Sequence, residues 1–168
     1  MPAITLPGLD GLSSEAIFNF SQSVMLPGIL ALILAPRWKY RQTLVYGTVL
    51  TNCLVYAATF VSSMAAQPDG LSGVGQMYAE LRALDGVMKL FADSTIILPA
   101  WIHYLAVDMI GVNYLVEKNL ADPAGLNQVL MGFIVILSLM AAPMGVLLYA
   151  VLKGLSSLLN GQPGVKRS

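Results

Sequence analysis

Four long apolar stretches, separated by short polar segments, dominate the pattern of the chain. They cover about residues 17–35, 43–66, 94–116 and 127–153. A helix needs roughly 20 mostly apolar residues to cross the hydrocarbon core of a bilayer, and each stretch meets or nearly meets that length. The pattern therefore predicts an all-α fold: an integral membrane bundle of four transmembrane helices, formed by a single domain of residues 1–168.

The polar segment between the second and third stretches has an amphipathic part. Its apolar residues recur at helical spacing: Met77, Leu81, Leu84 and Met88. Helices with one apolar face lie in the membrane interface. We therefore predict a short amphipathic helix within residues 76–90.

The third stretch differs from the others because it places ionisable side chains at membrane depth. His103 is the only histidine of the chain, and Asp108 follows five residues later. Such residues are costly in a bilayer unless they have partners, so they are candidates for a functional site. At about 100° per residue, the two side chains lie about 140° apart around the helix axis. We expect them to face different neighbouring helices, or opposite edges of one cavity.

Polar residues in the first two stretches are candidate partners for Asp108. Asn19 and Gln22 lie one turn apart in the first stretch, and Asn52 lies near the centre of the second. Because a buried carboxylate must pair or stay protonated, we predict that Asp108 hydrogen-bonds one of these three residues inside the bundle. Two roles stay open for the polar residues: they line a polar pocket, or they only join helices through hydrogen bonds.

Composition supports a membrane setting and excludes several classes of protein. Hydrophobic residues make up 57% of the chain and charged residues 11%, against roughly 45–50% and 25% in soluble domains. Nine basic and nine acidic residues cancel, which argues against binding to nucleic acid. A single cysteine, Cys53, excludes an internal disulfide, and no metal site is predicted from the protein side chains alone. Residues 1–16 lack the basic start of a signal peptide, so we expect no cleavable signal there.

The basic residues do not decide the orientation of a four-span chain. Four spans place both termini on one side, with four basic residues in the loops of the opposite side and five on the side of the termini. Residues 37–41 interleave three cations with Trp38 and Tyr40, which is typical of an interfacial anchor. This cluster favours a cytoplasmic or stromal location for the first loop.

Several short motifs resemble the ABA DEFICIENT 4-like family. They are residues 34–36 (LAP), 84–91 (LDGVMKLF), 100–109 (AWIHYLAVDM) and 142–146 (APMGV). The most specific is Trp-x-His-x-x-x-x-Asp, formed by Trp101, His103 and Asp108, and the resemblance covers about residues 17–153. Met109 stands where the family usually has leucine. Members are small four-span membrane proteins of plants, algae and some bacteria, and the plant member is required to convert violaxanthin into neoxanthin.

The resemblance implies a role in xanthophyll metabolism that needs no cofactor. An epoxide would become an allenic alcohol, an intramolecular isomerisation that needs an acid and a base. By residue type, Asp108 would be the acid and His103 the base. Trp101 and Tyr104 would lie against the polyene in an apolar groove, near the polar Asn19, Gln22 and Asn52. The protein would reside in a plastid thylakoid or envelope membrane, or in a bacterial inner or photosynthetic membrane.

A second interpretation is an accessory pigment-binding subunit of a photosynthetic complex, such as a photosystem. The His103 imidazole would then be the axial ligand of a chlorophyll magnesium, and carotenoid or chlorophyll would be a bound pigment. Partners would be membrane lipid and photosystem or light-harvesting subunits. The residues leave open whether the chain is an enzyme or such a subunit.

Overall fold

The computed structural model describes residues 12–66 and 74–160, and these residues form α-helices with no strand. The all-α prediction is confirmed for this part of the chain. Seven helices follow one another: α1 Ser14–Leu34, α2 Arg41–Ala66, α3 Val74–Glu80, α4 Leu84–Ala92, α5 Ser94–Ala121, α6 Gln128–Met140 and α7 Ala142–Asn160.

Three of these helices are long and apolar enough to cross a membrane. They are α1, α2 and α5, with 21, 26 and 28 residues, or about 31, 39 and 42 Å at 1.5 Å per residue. The chain is therefore a membrane protein, as its composition predicts. Helix α5 runs five residues beyond the predicted end at residue 116, and it stops at Ala121 because Pro123 disfavours helical backbone at the preceding residue.

The predicted amphipathic helix is two short helices, α3 and α4, separated by residues 81–83. Helix α4 has no buried residue, and its Leu84 and Met88 are exposed one turn apart. Asp85 in its first turn and Lys89 in its last turn suit the helix dipole. The break between α3 and α4 was not predicted from the sequence, and the amphipathic arrangement of Met77, Leu81, Leu84 and Met88 stays a prediction.

The predicted fourth span, 127–153, is two helices that fold back on each other. The helix breaks at Ala141, whose φ of −155° and ψ of 79° are not helical. A Cβ added to Gly145 would lie 2.7 Å from the Cα of Ser138 and would overlap its hydroxyl group. In one continuous helix, residues seven apart are about 10 Å apart. Helices α6 and α7 therefore form a hairpin, where the sequence predicted a single span over residues 127–153.

The chain divides into two compact units, and the single domain predicted from the sequence stays a prediction. The first unit is Met1–Leu26 with Tyr46–Ala106. Its core contains Ile17, Leu98 and Ile102, with Val55 and Tyr56 packed against them.

The second unit is Pro27–Val45 with Val107–Ser168. Two polar bridges join α2 to α5 in it: Arg41 Nη2 donates to Glu117 Oε1 at 3.0 Å, and Asn113 Nδ2 donates to Gln42 Oε1 at 3.1 Å. Arg41 and Gln42 are neighbours on α2, and Asn113 and Glu117 lie one turn apart on α5. The two bridges therefore stabilise the same contact between the two helices.

The loop before α6 is also held by hydrogen bonds within the second unit. Asn119 closes it by bonding both backbone groups of Leu126, at 2.7 and 3.0 Å. Lys153 of α7 forms an ion pair with Asp122. The hydrogen bonds from Lys153 and from the Ala124 amide hold the pKa of the Asp122 carboxyl below its usual range.

Candidate functional site

His103 lies on an exposed face of α5, among aromatic rings of the first unit. Its ring centroid is 5.3 Å from that of Tyr56 on α2, at a tilt of 49°, and 6.0 Å from that of Tyr104, edge on. Tyr56 in turn packs against Phe60, at 5.6 Å. We call His103, Tyr104, Tyr56 and Phe60 the histidine cluster.

The buried stripe of α5 explains why His103 faces outward. Leu98, Ile102 and Ala106 are buried and recur every four residues, so they share one face of the helix. His103 follows Ile102 by about 100° around the axis, which turns its ring away from the core and towards the surface. His103 is therefore on the exposed face of α5 within the first unit.

The predicted binding residues Trp101 and Tyr104 lie on the surface of the first unit. Trp101 is 44% exposed and Tyr104 is 50% exposed. The Trp101 ring is 6.1 Å from that of Phe18 on α1. Both rings are exposed in the described part of the first unit, and the apolar groove that the sequence predicted for them stays a prediction.

The three polar candidates have different surroundings. Asn19 is exposed, and its backbone carbonyl oxygen accepts a hydrogen bond from the Ser23 hydroxyl group. Gln22 is half-buried. Asn52 is fully buried, and its Nδ2 donates to Thr48 O on its own helix at 3.2 Å, while its Oδ1 has no partner. In the part of the chain that the structure describes, no hydrogen bond joins these three residues into one polar pocket.

Asp108 is half-buried on α5. Among residues 12–66 and 74–160, none forms a hydrogen bond or an ion pair with its carboxylate. Asp108 belongs to the second unit and Asn19, Gln22 and Asn52 to the first, so the hydrogen bond predicted between them stays a prediction. Asp108 lies between the exposed Val107 and the fully buried Met109, at the edge of the buried stripe.

The aromatic partners of His103 on α2 were not predicted from the sequence. Tyr56 and Phe60 are four residues apart, which places both rings on one face of a helix. That spacing indicates an aromatic face, but pairing it with His103 requires the rotation of α2 against α5. The bridges from Arg41 and Gln42 were not predicted either, although Asn113 and Glu117 likewise lie four apart on α5.

No group of three or more histidine, cysteine, aspartate or glutamate side chains converges on a metal position within the described residues. The His103 imidazole forms no hydrogen bond there either, and its contacts are with aromatic rings. A nitrogen of this ring is therefore free to accept a proton or to bind a metal that a pigment brings with it.

Comparison with known proteins identifies a family and no individual relative. Residues 16–149 match the family model described as ABA DEFICIENT 4-like. The match includes most of α1, the histidine cluster and the turn between α6 and α7. No curated protein matches the chain. No solved structure matches it either.

Proposed function

Because the chain belongs to the ABA DEFICIENT 4-like family, we propose that this membrane protein acts in xanthophyll metabolism, at the conversion of violaxanthin into neoxanthin. The observation that supports the proposal most is the position of His103. It is an exposed imidazole among aromatic rings on a helix long enough to span a bilayer.

The aromatic surface suits a polyene that arrives through the lipid. A carotenoid is a long apolar molecule dissolved in the bilayer, so it can reach an outward-facing surface without an aqueous channel. The exposed rings of Trp101 and Tyr104 offer flat apolar faces to such a chain. In this arrangement the end group of the substrate lies next to the His103 ring.

The chemistry requires a base at that point. Removal of the proton from C7 and opening of the C6–O bond of the epoxide form the allene, and the oxygen stays on C5. One proton leaves C7 and one proton reaches the oxygen, so atoms and electrons balance without a redox partner. We assign the base to His103, whose imidazole has no competing hydrogen bond in the described residues. The acid is the role that the sequence assigns to Asp108.

The proposal is tested in cells that lack the gene. We expect them to lose neoxanthin and to accumulate violaxanthin, and the unaltered gene should restore neoxanthin. His103→Gln should reach normal abundance but form no allenic product, because glutamine can hydrogen-bond but cannot accept a proton near neutral pH. Ile110→Gln is the matched control, because Ile110 is also exposed on α5. Neoxanthin at the normal level in the His103→Gln strain would refute the base assignment.

The exposed imidazole also favours a second candidate, a pigment-binding subunit of a photosynthetic complex. His103 would then bind the magnesium of a chlorophyll, with a photosystem or light-harvesting subunit beside it. In that case His103→Gln should leave the carotenoid composition unchanged and remove or shift one chlorophyll in the purified complex. Membrane fractionation would identify the thylakoid, envelope or bacterial inner membrane as the site of action.

A further inference from the structure

The two ends of the α6–α7 hairpin meet at one place. Lys153 lies twelve residues beyond the break at Ala141, yet its Nζ donates to Ala124 O at 2.9 Å. It also pairs with the Asp122 carboxylate. Both partners belong to the loop that precedes α6. After the hairpin, the chain therefore returns to the level of the loop that precedes α6.

Helix α6, and the part of α7 that returns from the turn to Lys153, are each too short to cross a bilayer, although α7 as a whole has 19 residues. Helix α6 has 13 residues, about 20 Å, and the return from Ala142 to Lys153 is about 18 Å at 1.5 Å per residue. The hydrocarbon core is about 30 Å thick. The pair of helices can thus enter the membrane and leave it again on the same side.

The base of the hairpin is fixed to the end of α1. Gln128 Nε2 lies 3.2 Å from the carbonyl oxygens of both Ile33 and Leu34. These are carbonyls of the last turn of α1, which have no partner within that helix. A Cβ added to Gly132 would lie 3.3 Å from the Ile33 side chain, so glycine lets α6 approach closely. The start of α6 therefore lies at the same level as the end of α1.

Non-helical backbone at membrane depth needs hydrogen-bond partners from the protein for its polar groups. The turn at the tip of the hairpin meets part of this requirement. The Ala141 carbonyl oxygen accepts hydrogen bonds from the amides of Met144 and Gly145, at 2.9 and 3.2 Å. Pro143 has no amide hydrogen to satisfy. Ala141 itself is shielded by the neighbouring residues and is only partly exposed.

We propose that the chain crosses the membrane three times, through α1, α2 and α5, and that α6 and α7 form a re-entrant hairpin that opens on the side of the α1–α2 loop. The end of α7 then lies on that side, opposite the start of α1. This topology replaces the four spans expected from the sequence, and it does not depend on the role in xanthophyll metabolism.

The distribution of basic residues supports this topology independently. With three spans and a hairpin, five of the seven basic residues that the structure describes lie on the side of the α1–α2 loop: three in residues 37–41, Lys118 and Lys153. The other two of these seven, Arg82 and Lys89, lie on the opposite side. With four spans the same seven residues divide four to three. Because cytoplasmic segments carry the excess of lysine and arginine, the hairpin side faces the cytoplasm, or the stroma in a plastid.

Single cysteines test the topology in a Cys53→Ser background. Leu12→Cys, Lys39→Cys and Ser168→Cys mark the N-terminus, the α1–α2 loop and the C-terminus. A membrane-impermeant maleimide added to intact bacterial cells that express the protein should label Leu12→Cys alone, and permeabilised cells should add the other two. Labelling of Leu12→Cys and Ser168→Cys from the same side would overturn the three-span topology. Labelling of Lys39→Cys and Ser168→Cys alone in intact cells would overturn the assigned orientation.

Cross-linking tests the hairpin itself. Asp122→Cys with Lys153→Cys should be joined by a short bismaleimide, and mass spectrometry should find the linked peptides. The control pair is Asp122→Cys with Met144→Cys, whose second site lies near the tip and should not be linked. A continuous helix over residues 127–153 would separate its ends by about 39 Å. Absence of the Asp122–Lys153 product in correctly inserted protein would overturn the hairpin.

Discussion

Arg41 and Asp108 are accommodated in opposite ways, although both are charged residues of apolar helices. Arg41 is only 5% exposed, and its guanidinium group is bound by Glu117. Asp108 is half-buried and has no such partner within the described residues. A charged residue at the centre of a spanning helix costs roughly 2.5–3.5 kcal/mol on insertion scales. No contact in the described residues offsets this cost, and a role in proton transfer would account for the carboxyl group.

Replacement of Asp108 by asparagine separates that role from a structural one. The amide keeps the shape of the side chain but has no acidic proton. We expect normal or higher abundance of Asp108→Asn in membranes, since the cost of inserting a carboxylate disappears, together with loss of neoxanthin. Immunoblotting and pigment chromatography of the complemented strain measure the two effects. Asp85→Asn makes the same change on the exposed face of α4 and should preserve both. If the Asp108→Asn strain still forms neoxanthin, Asp108 has no catalytic role.

The long apolar helices α1 and α2 could be predicted from the sequence, but the hairpin could not. The bounds of α1 and α2 differ from the predicted ones by three residues or fewer, because length and apolar content define a span. Residues 127–153 satisfy the same criterion. They differ from a span in the non-helical backbone of Ala141 and in the contact of Gly145 with Ser138. Both features depend on side-chain packing, which a hydropathy pattern does not describe.

The candidate site shows the same division. The sequence singles out His103, Trp101 and Tyr104 as candidates by residue type alone: a lone ionisable group and large aromatic rings within an apolar stretch. It does not identify Tyr56 as the neighbour of His103, because that contact depends on the rotation of one helix against another.

A single methyl group at Gly145 should open the hairpin. A Cβ there would overlap the Ser138 hydroxyl and lie 2.7 Å from backbone atoms of Ser138, so α6 and α7 must separate. We expect Gly145→Ala to reduce the Asp122–Lys153 cross-link severalfold. The control is Gly111→Ala on α5, where a Cβ has nothing within 4 Å. That change should leave the cross-link intact and favour the helix by about 0.5–1 kcal/mol. Equal cross-linking in Gly145→Ala and the unaltered hairpin would contradict the close contact.

The number of crossings determines where every charge of the molecule lies. In the three-span topology, five of the lysine and arginine residues that the structure describes lie on the basic side and two on the opposite side. Residues 37–41 form a short loop between the first two spans, where positive charge has its largest influence on orientation. The orientation of the whole protein should therefore depend on this loop more than on the two basic residues near α4.

Two double variants test whether the orientation depends on the first loop: one removes charge from that loop and the other removes it near α4. Arg37→Gln with Lys39→Gln lowers the excess on the cytoplasmic side without touching Arg41, which is bound to Glu117. We expect a mixed population, in which a fraction of the molecules has the N-terminus inside, because the first loop then holds one cation. Arg82→Gln with Lys89→Gln removes the same charge from the other side and should keep a single orientation. The labelled fraction of Leu12→Cys in intact cells measures both. Equal labelling in the two double variants would show that the first loop does not set the orientation, and the charge argument for the cytoplasmic face would fail with it.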